Sequence, residues 1–115
     1  MGHPVTHFEI LGPDGEALQR YYADLFGWSI DASNPMKYGM VKATEPGIGG
    51  GVAGSQDGSA VVTFYVETND IKASLAKAES LGGKVVQEPM DIPDGPTIAL
   101  FADPQGNVIG LASGM

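Results

Sequence analysis

The chain of 115 residues is long enough for one domain, and its 14 acidic against 6 basic residues give a formal charge of -8. A phosphate backbone repels such a chain, so nucleic acid is disfavoured as a partner and a cationic or neutral ligand is easier to accommodate. The absence of cysteine excludes disulfides, thiolate nucleophiles and zinc-thiolate sites and fits a cytoplasmic location, while no apolar run reaches the roughly 20 residues of a membrane span.

The first half of the chain predicts one strand, one helix and three further strands. The first strand covers Val5 to Leu11 and ends at a Gly-Pro pair. Asp14 is the predicted N-cap of a helix with one apolar stripe, which ends at Gly27. The remaining strands are predicted over residues 28–30, 38–44 and 48–53.

The second half repeats this order. A strand over Val61 to Glu67 precedes a helix that is capped by Asn69 or Asp70 and ends at Gly82-Gly83. Further strands are predicted over residues 84–87, 97–102 and 107–112. A proline-rich turn is expected over residues 89–96, and a β-turn over residues 103–106.

An offset of 56 residues aligns Asp14 with Asp70 and Gly27 with Gly83. The sequence therefore predicts two like βαβββ modules, of about residues 4–54 and 60–113. Neither module is expected to bury a sheet face alone, which favours one α+β domain over residues 1–115.

Four segments carry a resemblance to a known family. They are the His7 strand followed by Asp14, the helix end at residues 21–28, the helix end at residues 81–86, and the turn at residues 103–107. In this order the chain resembles the vicinal-oxygen-chelate superfamily, which includes glyoxalase I, extradiol dioxygenases, fosfomycin-resistance enzymes and bleomycin-resistance proteins. The resemblance implies paired modules, curved mixed sheets around a cupped cavity, and commonly a homodimer.

Enzymes of this superfamily hold a divalent metal with four side chains from four strands, and the resemblance places those positions here. The first falls on His7 and the second on Val61 or Thr63. The carboxylate positions fall near Gly49 or Gly50 and on Gly110. Because one imidazole alone binds a metal poorly, we expect no metal and no other cofactor. The chain is thus closest in kind to the metal-free bleomycin-resistance-like branch.

Alternation along the strands predicts which side chains face the cavity. His7 and Glu9 share one face of the first strand, opposite Phe8 and Ile10. On the third strand of each module, Tyr38 and Met40 share one face, as do Thr97, Ala99 and Phe101, and we assign both sets to the cavity. The predicted ligand-binding residues are His7, Glu9, Tyr38, Met40, Thr63, Tyr65 and Phe101.

Two functions remain open at this point. The first is a binding protein without catalytic residues that sequesters an aromatic or cationic natural product or drug, as in antibiotic resistance. The second is a glyoxalase-like lyase or isomerase that uses a partial metal site or an acid/base pair at His7 and Glu9. In both cases the expected partners are a small molecule and a second copy of the chain, with no nucleic acid and no membrane.

Overall fold

A computed structural model describes residues 2–114 and contains two helices and eight strands. The elements of the first half are β1 (Val5–Gly12), α1 (Gly15–Phe26), β2 (Ile30–Asp31), β3 (Gly39–Val41) and β4 (Gly49–Gly54). Those of the second half are β5 (Val61–Glu67), α2 (Ile71–Ser80), β6 (Lys84–Asp91), β7 (Thr97–Ala102) and β8 (Val108–Ser113). The predicted α+β class and the repeated βαβββ order are confirmed.

The chain divides into two compact units, Thr6–Thr63 and the rest of the described residues. In the first unit the strand order is β2-β3-β4-β1, and β1 runs parallel to β4 while the other pairs are antiparallel. Phe8 of β1 packs against Trp28, which also contacts Tyr22 and Phe26 of α1. The face of β1 that carries Phe8 is therefore the helix side of this sheet.

The second unit repeats the topology of the first, with strand order β5-β8-β7-β6 and β5 parallel to β8. Its core consists of apolar side chains between α2 and the sheet: Ile71, Leu75, Ala99 and Leu111, with Val66, Val85 and Phe101 packed against them. Each unit thus has a parallel pair formed by its first and last strands.

Both helices begin where the sequence predicts. The carboxylates of Asp14 and Asp70 accept hydrogen bonds from backbone N–H groups three residues later, at 3.1 Å and 3.0 Å. Gly27 ends α1 in the left-handed conformation, with φ at 70°, which a glycine adopts without steric cost. The matched caps are the local cause of the repeated helices.

Two expectations about the second half are wrong. β6 continues through Pro89 to Asp91, although residues 89–96 are expected to form a turn. The strand lies at the end of its sheet and its register shifts twice, so a residue without an N–H is tolerated there. Ala99 and Phe101 pack against the α2 cluster rather than facing away from the helix, because both faces of β7 are apolar and alternation cannot distinguish them.

Within residues 2–114, neither helix is long and apolar enough to cross a membrane.

Candidate functional site

A hydrogen-bonded chain of three side chains forms the candidate site in the first unit. The hydroxyl of Tyr38 donates to Glu9 Oε2 at 2.9 Å and lies 2.8 Å from His7 Nε2. A phenol has a single proton, so the donation to Glu9 leaves the Tyr38 oxygen to accept from a protonated Nε2. The His7 and Tyr38 rings are nearly parallel, with 16° between their planes and 6.2 Å between their centroids. All three side chains are partly buried.

The floor of this site is the backbone of β4. Gly51 is paired with Glu9 on one side and Met40 on the other. A Cβ at Gly51 would overlap the hydroxyl and the ring of Tyr38. The aromatic ring therefore lies against bare backbone, which only a glycine at this position allows.

The segment that joins β2 to β3 presents Tyr38 to the sheet. The side-chain amide of Asn34 donates to the carbonyl oxygen of Tyr38 at 2.8 Å and accepts from its N–H at 2.9 Å. Gln19 of α1 donates to the carbonyl oxygens of Val52 and Lys37, at 2.8 Å and 3.1 Å. These bonds fix the backbone from which the tyrosine ring reaches across β4.

The protonation of the site follows from its burial. Loss of solvent disfavours the imidazolium form and lowers the pKa of His7 below its ordinary value of 6.5. His7 is therefore neutral at pH 7, in agreement with an imidazole that donates one hydrogen bond through Nε2. The arrangement joins a neutral donor, a phenol and a carboxyl group, and it is capable of binding a polar ligand atom or relaying a proton.

The remaining predicted ligand-binding residues differ in position. Met40 lies on β3 and pairs with Gly51 from the side opposite Glu9, and 49% of its surface is exposed. Thr63 is buried on β5, and Tyr65 is buried in the second unit with its ring over Gly110. The structure thus brings together His7, Glu9, Tyr38 and Met40, as the alternation pattern predicts. A ligand-binding role for any of these residues stays a prediction.

Phe101 contributes to a separate groove beside α2. This groove has a volume of about 400 Å³ and is lined mainly by apolar side chains, including Val66, Leu81 and Leu111, with Lys77 also present. It lies on the helix side of the second sheet, which is the reason that Phe101 does not face the surface assigned to it from the sequence.

The residues present do not fit the metal site that the resemblance implies for the enzymes of the superfamily. Among residues 2–114, no three His, Cys, Asp or Glu side chains lie close enough together to hold an ion. The ring of Tyr65 occupies the space where a side chain at position 110 would begin. A partial site at His7 and Glu9 would have to displace the hydroxyl of Tyr38 that links them.

Three features of the site are not predicted by the sequence pattern. The hydroxyl bridge of Tyr38 joins residues 29 and 31 positions apart, and no local periodicity reports such a contact. The pattern likewise gives no signal for the hydrogen bonds that Asn34 and Gln19 make to the backbone. The glycine run at residues 49–51 is the available signal, because it indicates that another group approaches β4 closely.

Comparisons with known proteins identify the class to which this fold and site belong. Residues 5–111 match the Glyoxalase/Bleomycin resistance protein/Dioxygenase superfamily, and the chain belongs to that family. The predicted membership in the vicinal-oxygen-chelate superfamily is confirmed.

Curated relatives and solved structures extend this finding. The chain is 28% identical to the anthracycline biosynthesis protein DauV of Streptomyces sp. (strain C5), over 86% of the chain and 42% of the relative. It is 31% identical to "Putative glyoxylase CFP32" of Mycobacterium bovis, over 90% of the chain and 41% of the relative. The chain thus spans about two fifths of the length of these relatives.

Two solved structures show the same fold at low sequence identity. A glyoxalase/bleomycin resistance protein/dioxygenase superfamily member from Vibrio splendidus has a TM-score of 0.67 at 14% identity, covering 97% of this chain and 99% of that one. Methylmalonyl-CoA epimerase from Mycobacterium tuberculosis has a TM-score of 0.70 at 14% identity, covering 95% and 86%. At this identity the two structures show the shared fold alone, and the site has to decide the function.

Proposed function

We propose that this chain is a small-molecule-binding protein that sequesters an aromatic or cationic compound without a catalytic metal, in the manner of the bleomycin-resistance branch. The observation that carries the proposal is the Tyr38 ring, laid over the bare backbone of Gly51 with its hydroxyl between an imidazole and a carboxyl group. An aromatic surface with a few polar anchors is typical of a ligand site.

Charge and relatives support this choice. The formal charge of -8 attracts cations, and Glu9 supplies a carboxyl group at the site itself. The relatives from Streptomyces are named for the biosynthesis of anthracyclines, which are polycyclic aromatic compounds. We therefore expect polycyclic aromatic natural products to be the most informative first ligands.

A thermal-shift and calorimetric screen tests the proposal. A ligand that binds only the native state raises the melting temperature, so an anthracycline should do so while nickel, zinc, manganese and iron salts do not. If apolar contact dominates, replacing His7 and Glu9 by alanine together should weaken binding by less than about tenfold, or about 1.4 kcal/mol. Stoichiometric metal retained by protein purified without chelator would contradict the proposal.

The hydrogen bonds that link His7, Tyr38 and Glu9 favour one alternative function, a glyoxalase-like lyase or isomerase without metal. Glu9 would accept a proton, and Tyr38 would link it to the neutral imidazole of His7. Turnover that is lost in Tyr38→Phe while substrate still binds would identify this enzyme. A binding protein without catalytic activity would show no turnover in either the parent protein or Tyr38→Phe.

We also propose that the chain forms a homodimer. Tyr21, Leu25 and Phe26 of α1 are each more than half exposed, and together they leave an apolar helix face open to contact. Analytical ultracentrifugation should show a dimer that Leu25→Lys dissociates, whereas a monomeric parent protein would refute this proposal. The cytoplasmic location stays a prediction.

A further inference from the structure

The bridge at Tyr38 defines the chemistry of one oxygen position. His7 Nε2 lies 2.8 Å from that oxygen and Glu9 Oε2 lies 2.9 Å from it. One donor and one acceptor therefore converge on a single hydroxyl group, and the hydroxyl must both accept and donate. A ketone or an ether oxygen would satisfy only the donor and would leave the carboxyl group without a proton to accept.

The surroundings of this oxygen select an aromatic hydroxyl rather than an aliphatic one. The ring that carries it lies against the backbone of Gly51, where any Cβ would overlap it. The ring is also nearly parallel to the imidazole of His7, with 16° between the two planes. The position therefore has the shape of a planar ring and the hydrogen-bonding pattern of a phenol.

The tyrosine that fills this position comes from a connecting segment and not from the strands that form the position. Tyr38 precedes β3, and its backbone is held by Asn34 independently of its side chain. Because the two hydrogen bonds from Asn34 hold only the backbone, they do not require the side chain to lie over β4. The hydroxyl position itself would remain, because His7, Glu9 and Gly51 belong to the paired strands β1 and β4.

We propose that the Tyr38 side chain is an internal substitute for the ligand, and that the ligand of this face is a planar aromatic compound with a free phenolic hydroxyl. This inference rests on the proposed binding function and names the ligand class of that same site. On binding, the phenol of the ligand replaces that of Tyr38 between His7 and Glu9. The hydrogen bonds lost by the tyrosine are regained by the ligand, so affinity comes from the added ring area.

The Tyr38→Ala variant tests the position without knowledge of the natural ligand. The probe is 4-methylphenol, which reproduces the deleted side chain, and toluene is the control without a hydroxyl. By calorimetry, the variant should bind 4-methylphenol at least about tenfold more tightly than it binds toluene, which is the effect of one net hydrogen bond. It should also bind 4-methylphenol at least about tenfold more tightly than the parent protein does, because Tyr38 fills the position in the parent. Adding Gly51→Ala should abolish this binding. Equal binding of the two probes, or no binding by a folded variant, would overturn the inference.

A second measurement keeps the inference testable if Tyr38→Ala does not fold. The parent chain is labelled with 3-fluorotyrosine, and the fluorine NMR resonance of Tyr38 is assigned by its loss in Tyr38→Phe. Binding of 2-naphthol should move the chemical shift of that resonance towards that of a solvent-exposed tyrosine, while 2-methoxynaphthalene, which has no hydroxyl, should not. A bound 2-naphthol that leaves the signal in place would refute the substitution at Tyr38 but would leave the proposed binding function intact. Failure of every aromatic compound to bind the parent chain would refute the binding function itself.

Discussion

Replacing Gly51 by alanine should displace Tyr38 and destabilise the fold. The new Cβ would overlap the hydroxyl and the ring of the tyrosine, so the ring must leave β4. Its hydrogen bond to the Glu9 carboxyl is worth about 1.5–3 kcal/mol if that group is charged, and the bond to His7 about 0.5–1.5 kcal/mol. Alanine recovers about 0.5–1 kcal/mol of chain entropy. The expected net loss in the free energy of unfolding is about 1–4 kcal/mol.

A double-mutant cycle measured by urea unfolding separates this cause from a general intolerance of β4. In the Tyr38→Ala background the same Gly51→Ala change meets no ring, so its cost should disappear and leave only the entropic gain of about 0.5–1 kcal/mol. Gly54→Ala on the same strand is the matched control, because its Cβ would have only ordinary contacts of 3.5 Å or more. An equal cost of Gly51→Ala in both backgrounds would refute the assignment of Gly51 as the floor of the tyrosine ring.

Three further predictions concern residues around and beyond the site. Gln19→Met should lower the free energy of unfolding by about 1–2 kcal/mol in urea, because two carbonyl oxygens lose their donor, and an unchanged midpoint would contradict this. Burial lowers the folded-state pKa of His7, so the unfolded chain takes up the proton first and stability should fall as pH drops below 6.5. His7→Gln should remove part of that loss, and an unchanged pH dependence of the free energy of unfolding in this variant would contradict the assignment. Asn107 holds the pKa of the Asp103 carboxyl below 3.8, and Asn107→Ala should raise it in an NMR titration, whereas an unchanged pKa would argue against that bond.

Much of the fold is predictable because the same kinds of helix cap and turn residue bound the elements in both halves of the chain. Asp14 and Asp70 cap equivalent helices, and the glycine and proline residues divide the remainder into short strands. The pattern predicts the start of β6 but misses its continuation to Asp91, because Pro89 indicates a turn unless the strand is known to lie at a sheet edge. That position depends on strand order, which local sequence does not contain.

The candidate site is predictable only in part. The two-residue spacing of His7 and Glu9 places them on one face without further information. The position of Tyr38 depends on the absence of a side chain at Gly51, which lies on β4 and is separated from Tyr38 by β3. Phe101 is misplaced because β7 is apolar on both faces, so hydrophobicity gives no direction. Contacts of long sequence separation and strands without polar residues therefore limit the inference from sequence.

The proline in β6 also affects whether strands of other molecules can add to this edge of the sheet. An outermost strand normally exposes a row of N–H and C=O groups that can template the addition of foreign β-structure. Pro89 has no N–H to donate, and the two register shifts of β6 interrupt the regular spacing of its backbone groups. We therefore expect this border of the second sheet to resist fibrillar aggregation.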